Sequence, residues 1–410
     1  MKKVVITGIG VVTPLGNDIK STWKNMTNGL SGVGLITKFD TKTAKLPSRI
    51  AGELKKFCPE DYVSKKDIIR LDPFIHYASA ASLMAFEDSR IRLDAKMSLR
   101  TGVVIGSSRG GIMSIEKALE KHLLRGKPFS AYLMSSSTIN MASSYVSMRL
   151  GTKGPSMGIS TACASGTNAL GEAARLIRYG EADLVLAGGT DAPVCRMAVG
   201  GYGSSGALSR RNHEPERASR PFDNGRDGFV IAEGAGVLVL EEFEHALKRG
   251  ARIYAEIAGY GTCSGAFHQT GPDSRGEAAA IKKAVADAKI SVDDVDYINA
   301  HATSTVLGDS AETAAIKEVF GSSADKIPVS ACKSMLGHML GGAGAVEAAV
   351  TALSITEGVI IPTINLKTPD PACGLNHVIS ATKKEINIAV SNSFGFGGVN
   401  AVIVLKKTGH

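Results

Sequence analysis

Short apolar runs rich in β-branched residues alternate with amphipathic segments along this 410-residue chain. The runs at residues 3–9, 101–105 and 184–187 have the composition of buried strands, whereas residues 74–89 and 167–178 have the spacing of helices. Strands that are apolar throughout are typical of sheets covered on both faces. The alternation therefore predicts a layered α/β fold with mainly buried sheets.

The glycines lie within apolar segments and not in Ser/Gly linkers. There are 46 of them, and 44% of the residues are hydrophobic, which is enough for a sizeable core. Each half of the chain has a predicted strand, at 156–161 and at 328–331, followed by a small-residue helix, at Cys163 and at 337–353. No Pro/Ser linker occurs near residue 250. We therefore expect two similar halves of one body, residues 1–250 and 251–410.

The composition limits which binding partners and which cellular compartment suit the chain. A formal net charge of +8 favours an acidic partner or serves solubility alone, and no nucleic-acid-binding motif is present. Six cysteines without a CxxC pair are expected to be reduced thiols in the cytoplasm. The apolar start is interrupted by Gly8 and Gly10, and the apolar stretch at 341–355 contains Glu347. We therefore expect neither a signal peptide nor a membrane span.

The first chemical motif is STACASGT at 160–167, which places Cys163 between a predicted strand and a predicted helix. Unpaired N–H groups converge at such a helix start. They can lower a thiol's pKa below its usual value of about 8.5 and can hold an oxyanion. The alternative is an inert buried cysteine that packs as a small apolar side chain.

Two histidines follow predicted strands in the second half. His301 lies in NAHATST at 299–305, and His338 ends KSMLGH, which begins at Lys333. A nearby cation disfavours protonation of an imidazole, so a neutral ring remains available as a hydrogen-bond donor. A structural role stays open for His301. Metal binding is disfavoured because the two histidines lie in separate segments without an HEXXH spacing.

The fourth motif, NSFGFGG at 392–398, precedes the last predicted strand. It is no phosphate loop, since no Gly-Lys-Ser/Thr follows and two aromatic residues occupy the turn. Its glycines would let backbone amides approach a reacting carbonyl, with a phenylalanine side chain as an apolar gate.

Together these motifs resemble those of the β-ketoacyl-acyl-carrier-protein synthases, the KAS I/II-type condensing enzymes of the thiolase superfamily. The match runs from VVITGIGVVTPLG at the start to SNSFGFGGVN near the end, and GP at 154–155, SRPFD at 219–223, RDG at 226–228 and PTIN at 362–365 also fit. The resemblance implies a thiolase-like α/β fold whose five layers follow the order αβαβα. It also implies a homodimer. It implies no cofactor beyond the phosphopantetheine of an acidic acyl carrier protein.

The resemblance also implies roles. Cys163 would take the acyl group, and His301 and His338 would bind the malonyl thioester, support its decarboxylation and stabilise the enolate. The backbone amides of Cys163 and Phe396 would form the oxyanion hole, and Lys333 would organise the site. The remaining implied residues are Glu347 as the partner of Lys333, Thr303, Thr305 and Phe394 at the substrate, and Asn299, Glu347, Ser391 and Asn392 around a monovalent cation.

One residue departs from the family pattern. Arg109 stands where relatives generally have an apolar residue near the floor of the acyl pocket. A guanidinium in an apolar tunnel is costly unless it is paired. Arg109 therefore either turns outward to a partner or marks a pocket for short or polar acyl chains.

We expect a docking surface for the acidic carrier protein, formed by the basic residues Lys65, Lys66, Arg70, Arg210 and Arg211. The expected reaction is condensation of an acyl-carrier thioester with malonyl-carrier protein in fatty-acid elongation. A ketosynthase of a polyketide or other specialised pathway is the alternative, followed by a silent chain-length-factor-like subunit. A thiolase is disfavoured because Cys373-Gly374 lacks the context of a second catalytic cysteine.

Overall fold

The computed structural model describes residues 1–409, which contain fifteen strands and fourteen α-helices. The strands are β1 Val4–Val12, β2 Gly34–Leu35, β3 Ile50–Ala51, β4 Thr101–Gly106, β5 Ser156–Ile159, β6 Leu184–Asp191, β7 Gly234–Glu242, β8 Ala255–Ser264, β9 Tyr297–Asn299, β10 Pro328–Ser330, β11 Val359–Ile360, β12 Asn376–His377, β13 Thr382–Lys383, β14 Ile388–Gly395 and β15 Val399–Lys406. The helices are α1 Ile19–Thr27, α2 Lys65–Arg70, α3 Pro73–Ser89, α4 Ala95–Leu99, α5 Ile112–Arg125, α6 Leu133–Ser137, α7 Met141–Leu150, α8 Ser165–Arg178, α9 Arg196–Ser204, α10 Phe243–Lys248, α11 Ser274–Ala288, α12 Val306–Phe320, α13 Lys333–Leu336 and α14 Ala343–Glu357. None of the helices in this part of the chain is long and apolar enough to cross a membrane.

Eleven strands form one hydrogen-bonded ladder in the order β12-β10-β9-β14-β15-β8-β1-β7-β6-β4-β5. The ladder repeats itself about its centre, where β1 and β8 pair only through Val5–Glu256 and Ile6–Ala255. Outward from β1, the pairs β1–β7 and β7–β6 are antiparallel, and the pairs β6–β4 and β4–β5 are parallel. Outward from β8 the same series recurs, with one further parallel strand at the edge. This repeat means that the chain consists of two halves built on one plan.

Helices cover both faces of the sheets and also separate them. The helices α8 and α14 contact each other, and each contacts strands from both halves. On the outer faces, α3 packs on β1 and β7, and α11 packs on β8 and β15. The predicted five-layer αβαβα fold is thereby confirmed. The predicted boundary at residue 250 lies in the connection between the end of α10 and the start of β8, and the division itself stays a prediction.

Glycine allows α3 to approach the first sheet closely. All nine residues of β1 are buried, and the helix backbone passes directly over two of them. A Cβ added at Gly10 would lie 2.0 Å from the carbonyl oxygen of Ala81, and one added at Gly8 would lie 2.2 Å from that of Ala85. Both distances are far below van der Waals contact, so this layer spacing requires glycine.

The predicted helix over residues 337–353 is wrong at its start. The structure has the short helix α13 before Gly337, and α14 begins only at Ala343. Gly337 has a φ of 73°, and His338 donates its backbone N–H to Val230 at 2.7 Å. The His338 carbonyl in turn accepts from Ala232 at 2.9 Å. A strand-like bridge therefore holds His338 outside the helix.

Candidate active site

Cys163 lies in a 3₁₀ turn, Ala162–Ala164, that leads into α8. The side chain is 9% exposed. A second segment closes over it, since a Cβ added at Gly395 would be 3.2 Å from the backbone nitrogen of Cys163. The backbone N–H of Phe396, the next residue, acts to lower the pKa of the Cys163 thiol, although burial outweighs it. The turn at 392–398 therefore lies close to Cys163.

The acidity of the Cys163 thiol differs from the sequence-based expectation. Burial is the largest influence and raises the pKa of Cys163 to about 11. The charge of Lys333, the Phe396 amide and the charge of Arg109 act in the opposite direction but do not outweigh burial. The expected thiolate is therefore wrong for the free protein, because desolvation of the charged form exceeds the effect of the helix start.

His301 and His338 face each other in the second half of the site. Their ring centroids are 5.4 Å apart and their planes are nearly perpendicular, at 84°. Phe394 lies 5.9 Å from the His301 ring and Phe229 lies 5.5 Å from the His338 ring, measured between centroids. Burial and the charge of Lys333 hold the pKa of both histidines well below the usual 6.5. Both rings are consequently neutral near pH 7.

The ring nitrogens of these histidines are free to meet a substrate. Neither Nδ1 nor Nε2 of His338 has a hydrogen-bond partner within residues 1–409, and Nδ1 of His301 also lacks one. Buried polar atoms are normally paired. Unpaired nitrogens beside a reactive cysteine are therefore suited to hold the oxygen of a bound group.

Lys333 lies behind the histidines, only 1% exposed, and donates a hydrogen bond to Oε1 of Glu347. Burial raises the pKa of Glu347 to about 7, although the Lys333 charge opposes this. Glu347 Oε2 has no partner among the described residues. The predicted pairing of these two residues is therefore present in the structure.

The expected cation ligands include buried oxygen atoms that no described group satisfies. Ser391 Oγ and Asn392 Oδ1 are buried without hydrogen-bond partners, as is Glu347 Oε2. The Asn299 side chain donates to the Glu347 carbonyl at 3.2 Å. Three unpaired oxygen donors fit a hard monovalent cation. No group of three or more His, Cys, Asp or Glu residues that could hold a metal ion occurs between residues 1 and 409.

Sequence reasoning missed the carboxylates that shape the His301 loop. Glu312 on α12 accepts from the backbone N–H groups of His301 at 2.8 Å and Ala302 at 2.7 Å. Asp309, one turn earlier, accepts from the backbone N–H of Ser304 at 3.0 Å. Ala302 and Ser304 have φ values of 23° and 70°, so the loop is strained and depends on these bonds. A signal was available, since both acids share one helix face with buried apolar residues.

A cavity of about 360 Å³ joins these groups. Cys163, His301, His338, Phe394 and Phe396 line it. The predicted substrate contacts Thr303 and Thr305 line the same cavity, and their hydroxyl oxygens are 3.0 Å apart. Cys163, both histidines, the glycine turn and both threonines therefore open onto one space.

Arg109 does not line this cavity, but its partner Tyr202 does. The Arg109 Nε donates to the Tyr202 hydroxyl at 2.7 Å, and the guanidinium carbon lies 5.2 Å from the centroid of the Tyr202 ring. Tyr202 packs beside Phe229 and Phe396, with centroid distances of 5.5 Å and 6.4 Å. Arg109 itself is exposed, which fits a side chain that turns outward. Its partner Tyr202 lines the cavity, which fits an effect of the pair on the choice of acyl chain.

The structure does not bring the predicted docking residues onto the cavity wall. Lys65 and Lys66 are exposed on α2, whereas Arg70 is half-buried with its guanidinium carbon 4.3 Å from the Tyr132 ring centroid. Arg210 is exposed, but Arg211 is already engaged by Glu214 at 2.6 Å. Among the five, Arg211 is consequently least suited to an external partner.

The fold and the placement of a buried cysteine against two neutral histidines define a thiolase-like protein. The chain belongs to the β-ketoacyl synthase family, because residues 1–246 match the family model "Beta-ketoacyl synthase, N-terminal domain" and residues 254–367 match "Beta-ketoacyl synthase, C-terminal domain". The resemblance drawn from the four motifs is thereby confirmed.

Named relatives agree with this assignment. The chain is 46% identical over 410 residues to the "3-oxoacyl-[acyl-carrier-protein] synthase 2" of Staphylococcus aureus (strain COL), covering 99% of this chain and 98% of that protein. Among solved structures, a type II polyketide ketosynthase bound to a hexaketide, in complex with its acyl-carrier protein, has a TM-score of 0.92 at 37% identity, covering 99% of this chain and all of that one. A β-ketoacyl synthase from Burkholderia phymatum STM815 has a TM-score of 0.92 at 36% identity, with both chains fully covered.

Proposed function

We propose that this chain condenses an acyl group held on Cys163 with a malonyl thioester of an acyl carrier protein to give a 3-oxoacyl-carrier protein and CO₂. The observation that carries the proposal is a single cavity lined by the Cys163 sulfur and two neutral histidines. We assign this reaction to fatty-acid elongation, because the Staphylococcus aureus relative is named 3-oxoacyl-[acyl-carrier-protein] synthase 2.

The first step is acyl transfer. The Cys163 sulfur attacks the thioester carbonyl, its proton passes to a neutral histidine, and that proton then goes to the departing pantetheine sulfur. The developing oxyanion is met by the N–H groups of Cys163 and Phe396. The close approach of Gly395, the residue before Phe396, to the backbone nitrogen of Cys163 supports this use.

The second step needs a carbon nucleophile, which loss of CO₂ from the malonyl group supplies without a strong base. The electron pair moves onto the thioester oxygen, where the neutral rings of His301 and His338 donate hydrogen bonds to the enolate. The enolate carbon attacks the acyl carbonyl on Cys163, and the tetrahedral intermediate expels the Cys163 sulfur as a thiolate. A proton from solvent then restores the thiol. Burial keeps both rings neutral, and the positive charge of Lys333, held by Glu347, lowers their pKa further.

A monovalent cation fits beside Glu347. Its ligands would be Glu347 Oε2, Ser391 Oγ, Asn392 Oδ1 and Asn299, and three of these atoms are otherwise unsatisfied. The charge of the cation would support the loops that carry the catalytic groups. No other metal and no free cofactor enters the proposed reaction, since the substrate thioesters supply the pantetheine.

The acyl carrier protein is the proposed partner. The formal charge of +8 favours an acidic protein, and exposed basic side chains at Lys65, Lys66 and Arg210 are the proposed contacts. The six cysteines are all free, which suits a reducing compartment such as the cytoplasm.

A homodimer is proposed because the large sheet ends in an unprotected edge. The strand β5 pairs only with β4, and its residues Ser156, Met157 and Gly158 are exposed. Met157 is 38% exposed and Met148 on the adjoining helix α7 is 68% exposed. An exposed apolar edge strand normally requires a partner, and a second copy can add its own β5.

A specialised pathway remains a second candidate because of Tyr202 and Arg109. The Tyr202 hydroxyl hydrogen and both Nη groups of Arg109 have no acceptor within residues 1–409. Donors at this place would suit an acyl chain that carries oxygen atoms. The solved ketosynthase that holds a hexaketide shows that a closely similar fold accommodates such a chain.

Intact-mass analysis tests the proposed reaction. The protein is mixed with acyl-carrier proteins of graded chain length and then with malonyl-carrier protein, with Cys163→Ala as the control. A Cys163-dependent acyl adduct that is converted to 3-oxoacyl-carrier protein supports the proposal. Absence of an adduct with every chain would overturn it.

A further inference from the structure

A buried carboxyl without a partner lies on the wall of the substrate cavity. Glu277, in the first turn of α11, is 2% exposed and lines the same cavity as Cys163 and Thr303. Its Oε2 is buried without a partner, and no N–H or O–H between residues 1 and 409 donates to its carboxyl. Burial of an unpaired polar group is costly, so such a group on a ligand cavity indicates a bound partner.

The charges around Glu277 restrict what that partner can be. Burial raises the pKa of Glu277 well above its usual 4.5, and the neighbouring carboxyls of Glu312, Asp273 and Asp309 raise it further. No Lys or Arg pairs with it in the described part of the chain. This wall repels a phosphate or a malonyl carboxylate. It suits a neutral group that both donates and accepts hydrogen bonds, and an amide is such a group.

The carrier arm brings amides into the cavity. In a phosphopantetheine thioester, two amides lie between the sulfur and the phosphate. The sulfur must reach Cys163 while the phosphate stays with the carrier protein outside, so both amides lie between these two points. Glu277 lines the same cavity as Cys163, Thr303 and Thr305.

The start of α11 is fixed, so the position of Glu277 is fixed with it. Asp273 caps the helix by accepting from the backbone N–H groups of Arg275 and Gly276. A Cβ added at Gly276 would lie 2.8 Å from the Cα of Gly265, so the helix start packs directly on the end of the strand region. A carboxyl held on a fixed helix can discriminate between ligands, because it cannot swing away to find solvent.

We propose that Glu277 is a specificity-determining residue for the carrier arm, and that its carboxyl hydrogen-bonds to an amide of phosphopantetheine. The proposal rests on the proposed condensing function, which makes that arm part of the substrate.

Steady-state kinetics with two extender thioesters tests this contact. Malonyl-pantetheine has both amides, whereas malonyl S-butyl thioester has none. In Glu277→Leu we expect the KM for malonyl-pantetheine to rise about ten-fold, with the KM for the S-butyl thioester unchanged and kcat within about two-fold. Glu277→Gln, which can also donate and accept, should stay within about two-fold of wild type for both thioesters.

Control variants separate this contact from a general effect on the cavity. Leu307→Ala alters an apolar side chain at the cavity wall and should change both KM values by the same factor. Glu277→Met serves as a second apolar variant if Glu277→Leu loses its folded circular-dichroism spectrum.

Three outcomes would overturn the proposal. These are an unchanged KM for malonyl-pantetheine in the apolar variants, equal increases for both thioesters, and a fall in kcat with KM constant, which would mean that Glu277 acts through Glu312 and the His301 loop. A wild-type chain that forms no 3-oxoacyl product would overturn the proposed function as well, whereas an active wild type with unaffected variants would overturn only the role of Glu277.

Discussion

The carboxylate of Glu312 accepts a 2.8 Å hydrogen bond from the backbone N–H of His301. Its other oxygen accepts from Ala302 and the first also accepts from the Asn392 side chain at 2.9 Å. One buried acid therefore connects the histidine loop to the strand that carries the glycine turn. This geometry makes Glu312 a positioning residue for His301.

Glu312→Gln should impair condensation far more than acyl transfer. A glutamine oxygen can replace only one of the two carboxylate oxygens, and its NH₂ group would face a backbone N–H. A displaced His301 ring should lower kcat about 100-fold, because catalysis is sensitive to small misplacement. Single-turnover acylation of Cys163 should stay within about three-fold of wild type.

Glu318→Gln is the matched control for this experiment. It lies on the same helix, is largely exposed and pairs with Lys282, so its kcat should be unchanged. Equal loss of both half-reactions in Glu312→Gln would contradict the assignment of Glu312 to His301.

Alkylation of Cys163 should become faster with pH well beyond neutrality. The pKa of the thiol is about 11, so the thiolate fraction rises about ten-fold for each pH unit below that value. Labelling with iodoacetamide, followed by peptide mass spectrometry between pH 7 and 9, should show this increase. Cys163→Ala identifies the peptide, and a rate that levels off near pH 8 would mean that the helix start outweighs burial.

The pair Arg109 and Tyr202 should govern the choice of acyl chain. Tyr202→Phe removes the hydroxyl that accepts a hydrogen bond from Arg109 Nε, and it keeps the aromatic ring beside Phe396. We expect the variant to improve kcat/KM for saturated acyl chains relative to oxygenated ones by about five-fold. Competition between the two donors, read as Cys163 adducts by intact mass, measures this ratio, and an unaltered ratio would assign Arg109 to the outside of the pocket.

A charge placed on the edge strand should dissociate the dimer. Met157→Lys puts an ammonium group where a second copy of β5 is proposed to lie, and burial of that charge without a counterion is costly. Light scattering coupled to size-exclusion chromatography should show a monomer at micromolar concentration. Ile379→Lys changes another exposed apolar side chain, 65% exposed, and should leave the mass unaltered. A Met157→Lys protein that keeps the wild-type mass would place the interface elsewhere.

The residues that meet in the cavity could be singled out from the sequence because each of them lies at a strand end beside small residues. Cys163 and His301 follow short apolar runs, and such junctions are where a layered α/β fold exposes functional groups. The alternation of strands and helices likewise indicated the layers. These are local patterns, and the structure brings the residues that carry them into one cavity.

What could not be predicted depends on tertiary packing. The acidity of Cys163 is set mainly by burial, which no local motif reports. The late start of α14 depends on the bridge between His338 and Ile231, two segments more than 100 residues apart. Glu277 looks like an ordinary helix surface acid until α11 is packed against β8, β15 and α12.

The edge strand β5 ends at Ile159, four residues before Cys163, with the strained Ala162 between them at a φ of 50°. If a second copy pairs with that strand, the nucleophile is anchored by a neighbouring subunit and not by its own chain alone. Turnover per molecule would then depend on protein concentration. An assay diluted below the dissociation constant of the dimer would record a slow loss of activity that added enzyme, and not added substrate, restores.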